Sequence, residues 1–133
     1  MASSFDPRNA PTAVLGFLAE RHLATLTTID PSGDLQVTPV GTTFDPQHGL
    51  VRVITWATAQ KARNVSALPG QRVAVCQVDG GRWLALHGPA IVSADPEAVA
   101  EGVRRYAERY RPSRDRPDRV VIEITVDRIV GRV

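Results

Sequence analysis

Lysine is almost absent from this chain: Lys61 stands alone against fifteen arginines. Cysteine is as scarce. Cys76 is the single one, which excludes an intrachain disulfide and a thiolate cluster for zinc. It falls inside an apolar alternation, where a small buried hydrophobe is its plainer role. No apolar run reaches the length of a membrane span, and the opening MASSFDPRN lacks the charged-then-apolar order of a signal peptide. By elimination a cytoplasmic location is expected, with no membrane partner. The Walker loop, the nucleophile elbow and the dinucleotide glycine fingerprint are all missing. His22, His48 and His87 are scattered without metal-ligand spacing, so no metal site is expected. An enzyme so short of acid–base groups has to draw its difficult step from a cofactor.

What is present suits an ordinary soluble globular protein, with 43% hydrophobic and 23% charged residues. A length of 133 residues fits one domain spanning the chain, able to bury roughly two-thirds of its unfolded surface. The net charge of +2 is small. The densest basic run (Arg104, Arg105, Arg109, Arg111, Arg114, Arg116 and Arg119) is interleaved with Glu108, Asp115 and Asp118. That mixture reads as a solvated helix and loop rather than a polyanion groove, and no nucleic-acid partner is expected.

Hydrophobic periodicity predicts a first amphipathic helix over 11–22, with Pro11 at its first helical position. Strands follow over 23–30 and 35–45, joined by the turn Pro31-Ser32-Gly33-Asp34. Pro39 inside the second strand implies an edge or a bulge, because proline cannot donate to a ladder. After the turn 45–49 comes a strand over 50–56 and a short helix over 59–68. A hairpin pair then turns at Asp79-Gly80-Gly81. Asp95 caps a helix running to Tyr110, with Glu97 in its first turn. A loop over 111–118 leads to a last strand over 119–130. Six strands, three helices and no βαβ rhythm predict an antiparallel barrel or sandwich. The strands 51–56 and 73–78 are apolar on both faces, which suits a barrel wall covered by a helix or by another subunit.

One segment carries unusual charge placement. With Thr58 as cap of the short helix, Lys61 and Arg63 fall in its first turns, where cations oppose the helix macrodipole. A bound anion would reverse that sign, since free amides gather at the same end. Arg52, alternating on the preceding strand, is placed to join them. From charge alone the plainer reading, in which Lys61 and Arg63 are solvated surface cations, is the stronger. Trp56 and Trp83 are either core residues or walls for a planar ring. Pro39 leaves neighbouring backbone groups free for a ligand.

In their order and spacing, LATLTTIDPSGDLQVTPVGTTFDPQHGLVRVITWATAQKARNV and VAVCQVDGGRWLALHGPA resemble the pyridoxamine 5'-phosphate oxidase-like split β-barrel superfamily. Within it they look like the branch of actinobacterial reductases that use the deazaflavin coenzyme F420. The likeness runs from Val14 to Val130, and no single motif is diagnostic. It implies an α+β, mostly β, antiparallel split barrel that binds F420, with FMN as the alternative cofactor. It also implies a homodimer with the cofactor site at the interface, and hydride transfer to a conjugated small-molecule acceptor such as a bilin. The alternative of a different class is a non-catalytic binder of the same cofactor. By the same resemblance Arg52, Lys61 and Asn64 contact a phosphate, with Arg63 beside them. Val37, Thr38, Pro39 and Val40 lie along the ring as backbone, and Ile54, Thr55 and Thr58 contact the ring and its side chain. Gln77 and Trp83 stand where a second subunit closes the site. Trp56 and Ala57 depart from the family pattern, which often has small residues there.

Overall fold

A computed structural model describes residues 2–133. Its elements are β1 Ser3–Phe5, α1 Thr12–Ala19, β2 Ala24–Ile29, β3 Leu35–Val40, β4 Thr43–Asp45, β5 Leu50–Trp56, α2 Gln60–Ala67, β6 Arg72–Asp79, β7 Arg82–Ser93, α3 Pro96–Arg109, β8 Arg119–Thr125 and β9 Arg128–Arg132. Every strand pairing is antiparallel, in the order β3-β2-β6-β7-β8-β5-β4, with β9 on β7 and β1 on β9.

The long strand β7 is the seam of this split barrel. One of its edges pairs with β6 from Arg82 to Pro89. The other takes β9 over Trp83–His87 and β8 over Ala90–Ser93. β8 and β9 are therefore two halves of one return, bent at Val126 and Asp127. The bend needs Gly88, because a Cβ there would stand 1.8 Å from the Thr125 carbonyl oxygen. Alternation along β2 and β6 turns Leu26, Val73 and Val75 inward, where they pack with Phe17, Val53, Leu84, Leu86, Ile122 and Ile124. The outer side of β5 and β8 is covered by α3, where Gly102 comes close to Ile54 and Val121. The outer side of β6, with Ala74, Cys76 and Val78, has no such cover. Among the described residues no helix is long and apolar enough to cross a membrane.

The expected mixture of an antiparallel barrel and three helices is the observed one, with nine described strands rather than six. Backbone pairing alone makes the additions. Ser3–Phe5 pairs with β9, the segment 35–45 breaks at Gly41-Thr42 into β3 and β4, and the last strand breaks at its bend. Pro39 sits in the edge strand β3, as its missing donor requires. Asp95 caps α3 by accepting from the Ala98 amide at 3.0 Å. Two capping expectations fail. Pro11 is the cap of α1 rather than its first helical residue, and α2 is capped by Ala59, not Thr58, with no side-chain bond. The turn into α2 is closed by backbone instead: Ala59 N–H donates to Trp56 O, and Ala57 N–H to Asp118 O.

Candidate functional site

Where β3 ends, its last residues face the end of β5, and a cleft of about 470 Å³ opens between them. Pro39, Val40 and Gly41 form one wall; Ile54, Thr55 and Trp56 form another. Lys61 enters from the first turn of α2 and Tyr106 from α3, and Arg111, Arg114, Arg116 and Arg119 come from the segment that follows α3. Because β3 is an edge strand, one row of its backbone groups is free for a ligand.

The electrostatics are one-sided. Four guanidiniums and one ammonium line the cleft, and no carboxylate does among the described residues. Arg116 pairs with Asp118 at 3.1 Å and lies 4.5 Å from the Trp56 ring centre. Lys61 Nζ stands 5.3 Å from the same ring. Burial pushes the Lys61 ammonium below its ordinary pKa. Arg119 is oriented by donating to the carbonyls of Thr55 (3.4 Å) and Arg114 (2.7 Å). The Thr55 hydroxyl is fully buried without a hydrogen-bond partner, a polar atom the protein leaves unused. An aromatic and apolar wall and concentrated positive charge suit a planar ring bearing anionic groups. A larger groove of about 790 Å³ is lined by Asp6, Arg8, His48 and Asp127. Its carboxylates suit an anion poorly.

Of the residues singled out from the sequence, Pro39, Val40, Ile54, Thr55 and Lys61 meet in the cleft. Val37 and Thr38 precede them on β3, Val37 pointing outward. Thr58 and Arg63 are exposed beside the cleft, and Arg63 donates to Gln60. Four side chains turn elsewhere. Arg52 is buried and donates to Asp45 at 2.9 Å, so it does not join Lys61. Asn64 is buried, donating to Thr28 and Gln36 and accepting from Gln60. Gln77, 1% exposed, donates to Phe17 O and accepts from Arg109. Trp83 lies opposite Val78 on the outer face of β7. The lining arginines were missed as site residues. Glu101 and Glu108 pair with Arg104 and Arg105 on α3 itself, and of the later run only Arg116 has an ion-pair partner among the described residues. Counting charges along the chain hid that separation.

A split barrel with a basic, ring-sized cleft at its edge strand defines a class of phosphorylated-cofactor binders. The chain belongs to the pyridoxamine 5'-phosphate oxidase family, whose model matches residues 10–132. It is 48% identical over 117 residues to the F420H(2)-dependent biliverdin reductase of Mycobacterium tuberculosis, covering 88% of this chain and 84% of that protein. Among solved structures it is similar to a conserved hypothetical protein of Mycobacterium tuberculosis (TM-score 0.76, 25% identity, 91% and 82% of the two chains). An F420 reductase has the same fold at 24% identity, with a TM-score of 0.71 over 90% and 98%.

Proposed function

We propose that this protein is an F420-dependent oxidoreductase that reduces a conjugated small molecule of the biliverdin type. The observation that carries the reading is the 48% identity to an F420H(2)-dependent biliverdin reductase across most of both chains. The cleft supports it, being basic where a phosphorylated cofactor needs charge and apolar where it needs a wall.

When bound, reduced F420 supplies a hydride, and the acceptor takes that hydride with one proton as the cofactor is oxidised by two electrons. The protein's share is placement. Lys61, Arg111 and Arg114 hold the anionic groups, and Arg119 is fixed by the Thr55 and Arg114 carbonyls. Pro39, Val40 and Ile54 would flank the ring and exclude water from its faces. No histidine, carboxylate or cysteine lines the cleft among the described residues, which leaves solvent, the Tyr106 hydroxyl and the Lys61 ammonium as sources of the proton. The working form is a homodimer that buries the uncovered outer face of β3, β2 and β6, next to the cleft.

Titration of the purified protein with F420 and FMN in parallel tests the cofactor. F420 is expected to bind in the micromolar range or tighter, and reduced F420 to be oxidised on addition of biliverdin. Preference for FMN would replace this reading with that of an FMN enzyme. Tight F420 binding without turnover on any acceptor would make the protein a carrier.

A further inference from the structure

The last turn of α3 carries a cation that no acid pairs with among the described residues. Arg109 donates through Nε and Nη2 to the Glu20 carbonyl (3.0 and 2.7 Å), and through Nη1 to the Thr42 carbonyl (2.5 Å) and hydroxyl (3.2 Å). Nη2 also reaches Gln77 Oε1 at 2.7 Å. All of these acceptors are neutral, and burial lowers the guanidinium's pKa. Arg109 is half-buried, and its desolvation is offset by hydrogen bonds to neutral acceptors in place of a counter-ion. What the planar fork adds is reach. It joins the end of α1, the gap between β3 and β4, and the turn-ward end of β6 at Gln77.

Tyr110 grips the same gap. Its hydroxyl accepts from Thr42 N–H (3.1 Å) and donates to His22 O (2.6 Å). Its ring and that of Tyr106 press on Gly41, where an added Cβ would stand 3.1 Å and 2.8 Å from them. Gly41 is part of the cleft wall, and Arg111, the next residue after Tyr110, also lines the cleft. One helix end therefore sets both the apolar wall and the root of the basic segment.

We propose that Arg109 and Tyr110 are positioning residues for the anion-binding cleft, clamping the Gly41-Thr42 step so that Pro39–Gly41 and Arg111–Arg119 stand at a fixed separation. The identity of the ligand rests on the reading given above; the clamp does not. Two ligands keep the two apart: F420 and inorganic pyrophosphate, each titrated by calorimetry into full-length wild type, Tyr110→Phe, Gly41→Ala and Arg109→Lys.

Tyr110→Phe removes two hydrogen bonds and keeps the ring, so it is expected to stay folded. Both ligands should bind about tenfold more weakly, the scale of one lost hydrogen bond. Hydrogen exchange should rise at the Thr42 amide while the core stays protected. In turnover with reduced F420, KM should rise with kcat nearly unchanged. Gly41→Ala displaces the rings from the other side and should act alike, and Arg109→Lys should recover less than wild-type affinity because it lacks the fork. Wild-type affinities in folded Tyr110→Phe and Gly41→Ala, or faster exchange across the whole barrel, would overturn the clamp. If wild type ignores F420 but binds pyrophosphate, the functional reading falls while the clamp is still tested.

Discussion

Lys61 gathers more meaning than any other residue here. It is the single lysine, sits in the first turn of α2 against the macrodipole, and is partly desolvated beside Trp56 without a carboxylate to balance it. A bound anion removes the conflict. Lys61→Ala is therefore expected to weaken F420 binding by about 1–3 kcal/mol, the range for a charge-assisted hydrogen bond, and calorimetry reads it directly. Unchanged affinity with a raised melting temperature would make Lys61 a misplaced surface charge. The histidines carry the opposite expectation. His22 is hydrogen-bonded to Glu20, His48 to Asp45, and His87 lies on β7; none lines the cleft. Burial and the nearby Arg128 and Arg72 hold His87 below its ordinary pKa. His22→Ala, His48→Ala and His87→Ala should keep most of their turnover, and the rate should be nearly flat from about pH 6 to 8. A folded variant that binds F420 normally yet loses about a hundredfold in rate would reveal a proton-transfer group.

Between elements, the most buried ionic contact joins β4, β5 and α3. Asp45 on β4 is 1% exposed and takes Arg52 of β5 at 2.9 Å, Arg105 of α3 at 3.2 Å and His48 at 2.7 Å. Burial alone would raise its pKa, but the bonds from Arg52 and His48 outweigh that and hold it at about 2, from 3.8. A carboxylate depressed in the folded state adds stability above its unfolded pKa. That contribution, about 2 kcal/mol, is lost as pH falls from about 4 through about 2. Acid melts of wild type should show the loss, and Asp45→Asn should be less stable at neutral pH with a flatter acid limb. Equal acid limbs would mean the cluster contributes nothing. The same cluster marks the boundary of what the sequence discloses. Strand alternation, the Asp79-Gly80-Gly81 turn, the Asp95 cap and the edge position of Pro39 all follow from local chemistry, and all are legible. Arg52 is not, because whether a strand residue faces an anion site or a buried Asp45 depends on a pairing made in three dimensions. Lys61 and Thr55 were found through charge placement and resemblance. Arg111 to Arg119 were not, since only the fold separates them from the acids of α3.

On the scale of the whole molecule, a largely apolar surface remains to be covered. Leu35, Val37 and Pro39 of β3 lie beside Ile29, Thr27 and Thr25 of β2, which register with Ala74 and Cys76 of β6. Val78 of β6 continues the face, and Trp83 and Ala85 extend it onto β7. Leu35, Val37 and Val78 are 71%, 61% and 60% exposed. A single chain rarely leaves so continuous an apolar face in water, and a second copy of the same face is self-complementary by two-fold symmetry. Along β3 the face runs directly into Pro39 and Val40 of the cleft, so pairing there would bring the partner against the ligand site. Val37→Asp is the sharp test. In an isolated chain this exposed substitution should change stability by no more than about 0.5 kcal/mol, whereas at a two-fold interface it buries an unpaired carboxylate in each copy. Light scattering at micromolar concentration is expected to give a dimer for wild type and a folded monomer for Val37→Asp, with F420 affinity falling in step. A wild-type monomer that still binds F420 tightly would show that the cleft is complete in one chain, and the uncovered face would then have to serve some other contact.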